Sequence, residues 1–174
     1  MYEPTINIRR AQINDASKIF TLRRAVIKED IYLLPTIEED ILTEEEQFKY
    51  VSAIQKAAPS TILVAETNNI VIGVLEFNQG NWTRIKHSGC LEIYVANGYR
   101  EKGVGSRLMS NLFQWLETYP VIEIVNLKVH ATNERAINFY KKLGFEIDGI
   151  QKKGLKYDER YVDIVMMSKK LEKI

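Results

Sequence analysis

Leu91-Glu92-Ile93-Tyr94-Val95-Ala96-Asn97-Gly98-Tyr99-Arg100-Glu101-Lys102-Gly103-Val104-Gly105-Ser106-Arg107-Leu108 reads as an apolar strand, a glycine-bearing turn and the start of an amphipathic helix. The first turn of a helix leaves main-chain N–H groups without intrahelical partners, and the macrodipole adds roughly half a positive charge there. Phosphates bind such ends. Gly103 and Gly105 lack a Cβ, so a ligand can come close to the main chain between them, and Arg100, Lys102 and Arg107 add formal positive charge around the turn. The main-chain N–H groups of Glu101, Lys102, Gly103, Val104, Gly105 and Ser106 form the expected cradle. Val104, Leu108, Leu112 and Leu116 recur every four residues and Trp115 widens the stripe, which predicts that the helix continues.

Spacing narrows the choice of phosphate ligand. A dinucleotide fingerprint would need glycine at 108, where Leu108 stands. A nucleotide phosphate loop begun at Gly98 would need Lys and Ser or Thr at 104 and 105, where Val104 and Gly105 stand. What remains is R-x-x-G-x-G after a strand.

A second segment follows about thirty residues on, after the apolar run from Val121 to Val129: Asn133-Glu134-Arg135-Ala136-Ile137-Asn138-Phe139-Tyr140-Lys141-Lys142-Leu143-Gly144-Phe145. With this pair of segments the chain resembles the GCN5-related N-acetyltransferase (GNAT) superfamily. In that superfamily the acetyl-coenzyme A site is marked by R/Q-x-x-G-x-G/A after a strand and by N-x-x-A-x-x-F-Y-x-x-x-G-F downstream. The resemblance is strong from Leu91 to Phe145 and fainter before Thr61. It implies a fold in which two parallel strands splay apart and coenzyme A enters the gap, and it implies acetyl-CoA as co-substrate and an amine as acceptor. It also carries an expectation of homodimers, common among members of the family.

Composition sets outer limits. The 174 residues, 45% of them hydrophobic, suffice for one domain of ordinary size spanning 1–174 with a core of its own. With 24 basic and 23 acidic residues there is no global field pointing to nucleic acid or an anionic membrane. The single cysteine, Cys90, cannot form an intramolecular disulfide. No signal peptide or apolar run of transmembrane length is evident, so a cytoplasmic protein is expected. At the start of an apolar strand, Cys90 is expected to be a small buried hydrophobe rather than a reactive thiol. His87 and His130 lack metal-ligand spacing, and no metal site is expected.

Thr5 to Arg10 reads as a first strand. Asn14 or Asp15 then caps a helix running to about Lys28, with Ile19, Leu22, Val26 and Ile27 inward. Ile31 to Pro35 is an apolar connection. After the acidic stretch Glu38 to Glu46, a helical segment is expected to reach Ala58, with Phe48, Val51, Ile54 and Gln55 at helical spacing, ended by Pro59. Thr61–Glu66 and Ile70–Phe77 are strand-like runs joined by Asn68-Asn69, a hairpin signal because asparagine tolerates positive φ. Gly89–Val95, the Gly103 helix, a strand around Ile122–Val129, the Asn133 helix and final strands Glu146–Ile150 and Arg160–Lys169 complete the order βααβββαβαββ. The expected class is α/β (α+β): a mixed sheet of six to seven strands with a parallel pair and helices on both faces.

Acetyl transfer to an amine needs a diphosphate cradle, a donor for the carbonyl oxygen, removal of the amine's proton and a proton for the thiolate. The carbonyl donor is expected at a main-chain N–H near Tyr94 or Val95. There the strand Leu91–Val95, with Ile93 among its residues, stops pairing with its neighbour, and the resemblance implies that the pantetheine arm pairs in its place. Asn133 and Tyr140 lie seven residues apart, within about 20° of one helix face and about 10 Å along the axis. The resemblance gives Tyr140 the role of general acid and Asn133 a contact to the cofactor arm. From spacing alone, Tyr140 reads equally as a half-buried aromatic between Phe139 and Leu143, and Asn133 as an N-cap. Gly144-Phe145 reads as a helix C-cap.

The general base is open. Relatives that acetylate protein N-termini carry a glutamate on the strand before the asparagine motif, where this chain has Lys128. Glu92 interrupts an apolar strand, and an unpaired buried carboxylate is costly, so it is the first candidate, with the alternative that it is merely exposed or ion-paired; Glu76 is a second candidate and a water chain a third. The acids from Glu38 to Glu46 either draw a cationic amine or sit favourably at a helix N-terminus. Lys156–Asp163 is similar to the terminal hairpin of ribosomal-protein and small-amine acetyltransferases, with Lys152, Lys153 and Lys156 expected to be solvated. Trp82 contacts substrate or packs at a rim. No covalent nucleophile pairs with a base, so direct attack in a ternary complex is expected. The alternative is a non-catalytic acyl-CoA-binding sensor or interaction domain.

Overall fold

The computed structural model describes residues 5–29, 32–157 and 159–172. Ile31, in the expected apolar connection, and Asp158, in the expected terminal hairpin, lie outside the described residues. The strands hydrogen-bond in the order β1-β2-β3-β4-β5-β7-β6, a seven-stranded mixed sheet. The chain divides into two compact units, Met1–Asn78 with Glu92–Tyr119 and Gln79–Leu91 with Pro120–Ile174.

In the first unit, β1 (Asn7–Arg10), β2 (Thr61–Thr67) and β3 (Ile70–Gln79) form an antiparallel meander. The turn between β2 and β3 is Asn68-Asn69 with φ of 48° and 64°, the left-handed pair that a tight hairpin matching strand twist requires. Both faces are covered. Ile62, Val64 and Val74 join Ile19 and Leu22 of α1 (Ala16–Ile27) and Val51 of α2 (Glu44–Gln55) in one core. On the opposite face Gly73 lies under Val104 and Leu108 of α3 (Val104–Glu117), whose stripe Val104, Leu108, Met109, Leu112 and Leu116 is buried. Burial of each such leucine stabilises by about 1.5–3 kcal/mol. Trp115 of α3 donates its Nε1–H to Pro59 O at 3.0 Å and receives the Arg10 guanidinium over its ring at 4.3 Å.

Arg9 ties the entry of α1 to the sheet. Its guanidinium meets Asp15 at 2.6 and 2.9 Å and Glu66 at 2.8 Å, and the Gln12 N–H donates to Asp15 Oδ2 at 2.7 Å. Asp15 stands at the N-cap of α1, one of the two expected positions, but its side chain makes no capping bond to that helix. Winding starts in a 3-10 turn, Ile13–Asp15, one step earlier, and the Asp15 carboxylate folds back onto Gln12.

The second helix also departs from expectation. A capping box, Thr43 with Glu46, fixes its start, and it ends at Gln55 rather than Ala58. In that phase Gln47 and Val51 face inward, while Phe48, about 100° further round, is 45% exposed.

The second unit holds the first part of β4 (Ser88–Val95), β5 (Ile124–His130), α4 (Glu134–Lys142), β6 (Glu146–Tyr157) and β7 (Arg160–Lys170). The parallel pairing of β4 with β5 covers Ser88–Cys90 against Ile124–Asn126. Cys90 is exposed, which corrects its expected burial: alternation turns Gly89 and Leu91 inward and Cys90 outward. β6 runs seven residues beyond its expected end. It shifts register between Ile147 and Gly149 and again between Gln151 and Leu155, so Lys152, Lys153 and Gly154 mask the alternation by which a strand is recognised.

Candidate active site

The loop from β4 into α3 is built from left-handed residues. Gly98, Glu101 and Gly103 have φ of 85°, 62° and 76°. Gly103 is the N-cap of α3, and no heavy atom lies within 4 Å of where a Cβ on it would stand. The first helical bond runs from Arg107 N to Gly103 O at 3.1 Å, so the N–H groups of Val104, Gly105 and Ser106 precede the ladder. An L side chain at 103 would be strained and would project into the open space at the head of α3.

The basic side chains around this turn are spent within the protein. Arg100 donates from Nε to Val95 O at 2.9 Å and pairs with Glu29 at 2.6 Å. Arg107 donates to Ile6 O at 2.6 Å, and Lys102 lies 5.7 Å from the Tyr99 ring centre. The positive end of this site is therefore carried by the main chain more than by the guanidinium groups.

The edge of β4 follows from two bonds. Gly80 N donates to Ser88 O at 2.9 Å and Ala96 N to Ile72 O at 2.8 Å, an antiparallel register that sets Tyr94 opposite Val74 and Glu92 opposite Glu76. In that register the N–H of Tyr94 turns toward β3, whereas those of Ile93 and Val95 turn to the other edge, where parallel pairing reaches only Cys90. Of the two expected carbonyl donors, Val95 has the fitting direction.

Glu76, on β3, sits on the face covered by α1 and α2. Tyr50 of α2 donates to its Oε2 at 2.9 Å, and Tyr94 of β4 donates to its Oε1 at 3.3 Å. Asn78 Nδ2 donates to Tyr50 Oη at 3.0 Å. Burial pushes the Glu76 carboxyl above its ordinary range and Glu92 adds to the rise, against the opposing pull of the two phenol hydrogen bonds and of Arg23. Tyr50 and Tyr94 are raised by burial and by Glu76. Arg23 of α1 is paired with buried Asp40, which Arg24 also approaches, at 3.5 Å.

Glu92 is exposed, so the cost of burial that singled it out does not arise. Tyr50, Asn78 and Arg23 carry no motif. Glu76, breaking the buried run Val71–Phe77, was the legible trace of the cluster.

In the second unit, Asn133 caps α4, its Oδ1 accepting from Ala136 N at 3.1 Å. Tyr140 is buried at 7% exposure, with its ring 5.2 Å from Phe139 and 5.5 Å from Phe145. Gly144 has φ of 85°, and Phe145 N returns to Tyr140 O at 3.1 Å, the expected C-cap. Lys128 is exposed on β5. His130, lowered by burial, lies 3.4 Å by Nδ1 from Tyr157 Oη. Trp82 is 78% exposed. Lys152 pairs with Asp163 at 2.9 Å while Lys153 and Lys156 lie over Tyr161, and all three remain exposed. Among the described residues no group of three or more His, Cys, Asp and Glu could hold a metal, and no helix is long and apolar enough to cross a membrane.

A mixed sheet with a short parallel pair, and a left-handed glycine turn leading from β4 into a helix, is an arrangement found in acetyltransferases. The chain belongs to the Acetyltransferase (GNAT) family, whose model matches residues 29–145. It is 32% identical over 107 residues to the L-amino acid N-acetyltransferase AaaT of Escherichia coli K12, spanning 62% of this chain and 66% of that protein's own length. The crystal structure of a GNAT-family acetyltransferase from Streptococcus pneumoniae superposes with a TM-score of 0.90 at 26% identity, over 97% of this chain and all (100%) of that one. A phosphinothricin acetyltransferase from Sinorhizobium meliloti, solved with acetyl-CoA, shares the fold at a TM-score of 0.83 and 24% identity, over 96% of this chain and 89% of its own.

Proposed function

We propose that this N-acetyltransferase moves the acetyl group of acetyl-CoA to a primary amine, on a small molecule or on a protein N-terminus or lysine, by direct attack in a ternary complex. The observation that carries the reading is the left-handed Gly103 cap with open space above it, at the head of α3 and after a strand whose parallel pairing stops at Cys90. The N–H groups from Glu101 to Ser106 hold the diphosphate, aided by the macrodipole of α3. The N–H of Val95, or of Ile93, donates to the thioester carbonyl oxygen as it gains charge. Asn133 contacts the cofactor arm and Tyr140 returns a proton to sulfur; both roles rest on the motif that these residues share with the family. Bound acetyl-CoA supplies the activated acyl carbon. The name of the Escherichia coli relative favours an amino acid among acceptors, and a cytoplasmic location, where acetyl-CoA is at hand, is part of the same reading.

The test pairs isothermal titration with acetyl-CoA and a thiol-release assay against spermidine, tyramine, L-leucine, L-methionine and an alanine-initial peptide. Binding with acetylation of at least one probe is expected. Binding with silence across a broad amine panel would identify an acyl-CoA-binding domain instead, and absence of binding would refute the cradle.

A further inference from the structure

We propose that Glu76 is the general base that takes the proton of the acceptor ammonium, with Tyr50 as the residue that positions it. The inference rests on the acetyl-transfer reading given above.

The contrast with other carboxylates in the chain is informative. Asp15 and Glu66 are held by Arg9, and Asp40 by Arg23 and Arg24: these are ion pairs that fasten elements together. Glu76 makes no ion pair among the described residues, and Arg23, the cation whose charge reaches it, is paired with Asp40. Its two oxygens are instead held by two phenols from two different elements. A carboxylate oriented in this way by neutral donors has retained basicity that an arginine partner would remove. Partial exposure leaves it reachable.

Placement agrees. Tyr94, which donates to Glu76 Oε1, lies between Ile93 and Val95 on β4, the residues whose N–H groups are assigned to the thioester carbonyl. Glu92, exposed and directly across from Glu76, supplies a second negative charge that draws a cationic amine toward it. The groups facing Glu76 are thus Tyr50 from α2, Tyr94 and Glu92 from β4 and, more distantly, Arg23 from α1.

The step balances. Glu76 accepts one proton from R–NH3+; the freed nitrogen lone pair forms the N–C bond at the carbonyl carbon, and the C–S bond breaks with its electron pair on sulfur. As the tetrahedral intermediate collapses, Tyr140 gives its proton to sulfur, and the second proton shed by nitrogen passes through solvent to restore the Tyr140 phenol. Glu76 then returns its proton to water.

The experiment compares wild type, Glu76→Gln, Glu92→Gln and Tyr50→Phe, using the most rapidly acetylated of the five probes. Rates are measured against pH, acetyl-CoA affinity by titration and folding by thermal melting. Glu76→Gln is expected to lower kcat by about 10²–10⁴-fold, with acetyl-CoA affinity within about 2-fold of wild type. Tyr50→Phe removes a hydrogen bond that favours the charged carboxylate, so the acidic limb of its pH–rate profile is expected to move to higher pH, with the rate recovering on the alkaline side. A Glu76→Gln enzyme within 3-fold of wild type, a large loss confined to Glu92→Gln, or an unmoved acidic limb in Tyr50→Phe would each overturn the assignment. Should Glu76→Gln fail to fold, the Tyr50→Phe profile decides alone. A wild-type chain that acetylates no probe refutes the underlying reading and this proposal with it, whereas an active wild type with an active Glu76→Gln refutes the proposal only.

Discussion

Gly73 offers a sharp test of how the sheet positions α3. A Cβ added there would lie 2.9 Å from Val104 Cγ1, 3.2 Å from Leu108 Cδ1 and 3.4 Å from Ala65 Cβ. Ordinary carbon contacts are about 3.5–4.0 Å, so the methyl arrives roughly 0.6–1 Å too close to Val104. Neither neighbour can swing outward: Val104 is 1% exposed and Leu108 0%. Overpacking of this kind costs about 1–3 kcal/mol. Removing a glycine from a strand returns about 0.5–1 kcal/mol, so Gly73→Ala is expected to destabilise by about 0.5–2 kcal/mol, a Tm drop of roughly 1–8 °C for a chain of this size. Val104→Ala makes room at its own cost of about 2 kcal/mol. The double variant should then be less damaged than the two changes added, by about 0.5–2 kcal/mol. Urea denaturation of the four proteins measures the cycle. Strict additivity, or a Gly73→Ala variant as stable as wild type, would refute the claim that β3 and α3 are packed to contact at this point. Val104 begins the helix, so the same shift is expected to weaken acetyl-CoA binding.

Gly103→Asp should fold with a loss of about 1 kcal/mol, since aspartate tolerates a left-handed backbone, yet lose acetyl-CoA binding by titration through bulk and charge repulsion. Tight binding retained would contradict the cradle. Tyr140→Phe is expected to lower turnover far more than acetyl-CoA affinity, as stopped-flow thiol release against titration would show; equal turnover would remove Tyr140 from the acid role. Stability should fall in acid through the Arg9 network. Asp15 is held below its ordinary 3.8, burial opposing but the Arg9 and Gln12 hydrogen bonds prevailing, and Glu66 below 4.5 by Arg9. Depressed carboxyl groups stabilise the fold above those ordinary values and lose that contribution as pH drops below them. Melting curves from pH 6 to pH 3 should therefore fall more steeply for wild type than for Arg9→Met; parallel curves would count against the linkage.

The element order was legible because each element carried its own period: the α3 stripe, the Asn68-Asn69 turn, the Asn133 cap and the Gly144 stop are all local in chemistry. Where the reading failed, tertiary phase decided. Phe48 and Gln47 are adjacent, and only the capping box at Thr43 fixes which of them faces the core. Cys90 and Glu92 are exposed although Tyr94, on the same beat of β4, is buried, a change along the strand that an apolar run does not reveal. The proposed diphosphate cradle rests on glycines and basic residues close together in sequence, whereas the pairing of Arg100 with Glu29 and of Arg107 with Ile6 joins residues far apart in the chain. The Glu76 cluster draws on α2, β3 and β4, and no window of sequence contains it.

The register shifts in β6 have a further consequence. This strand is last in the sheet order and so presents a row of main-chain donors and acceptors to any passing polypeptide. Two extra residues between Gln151 and Leu155, with lysines at 152 and 153, break that row into short, charged pieces that a foreign strand cannot template upon. The irregular rim thereby guards the chain against amyloid-like growth at an edge that a smooth, regular hairpin would have left open.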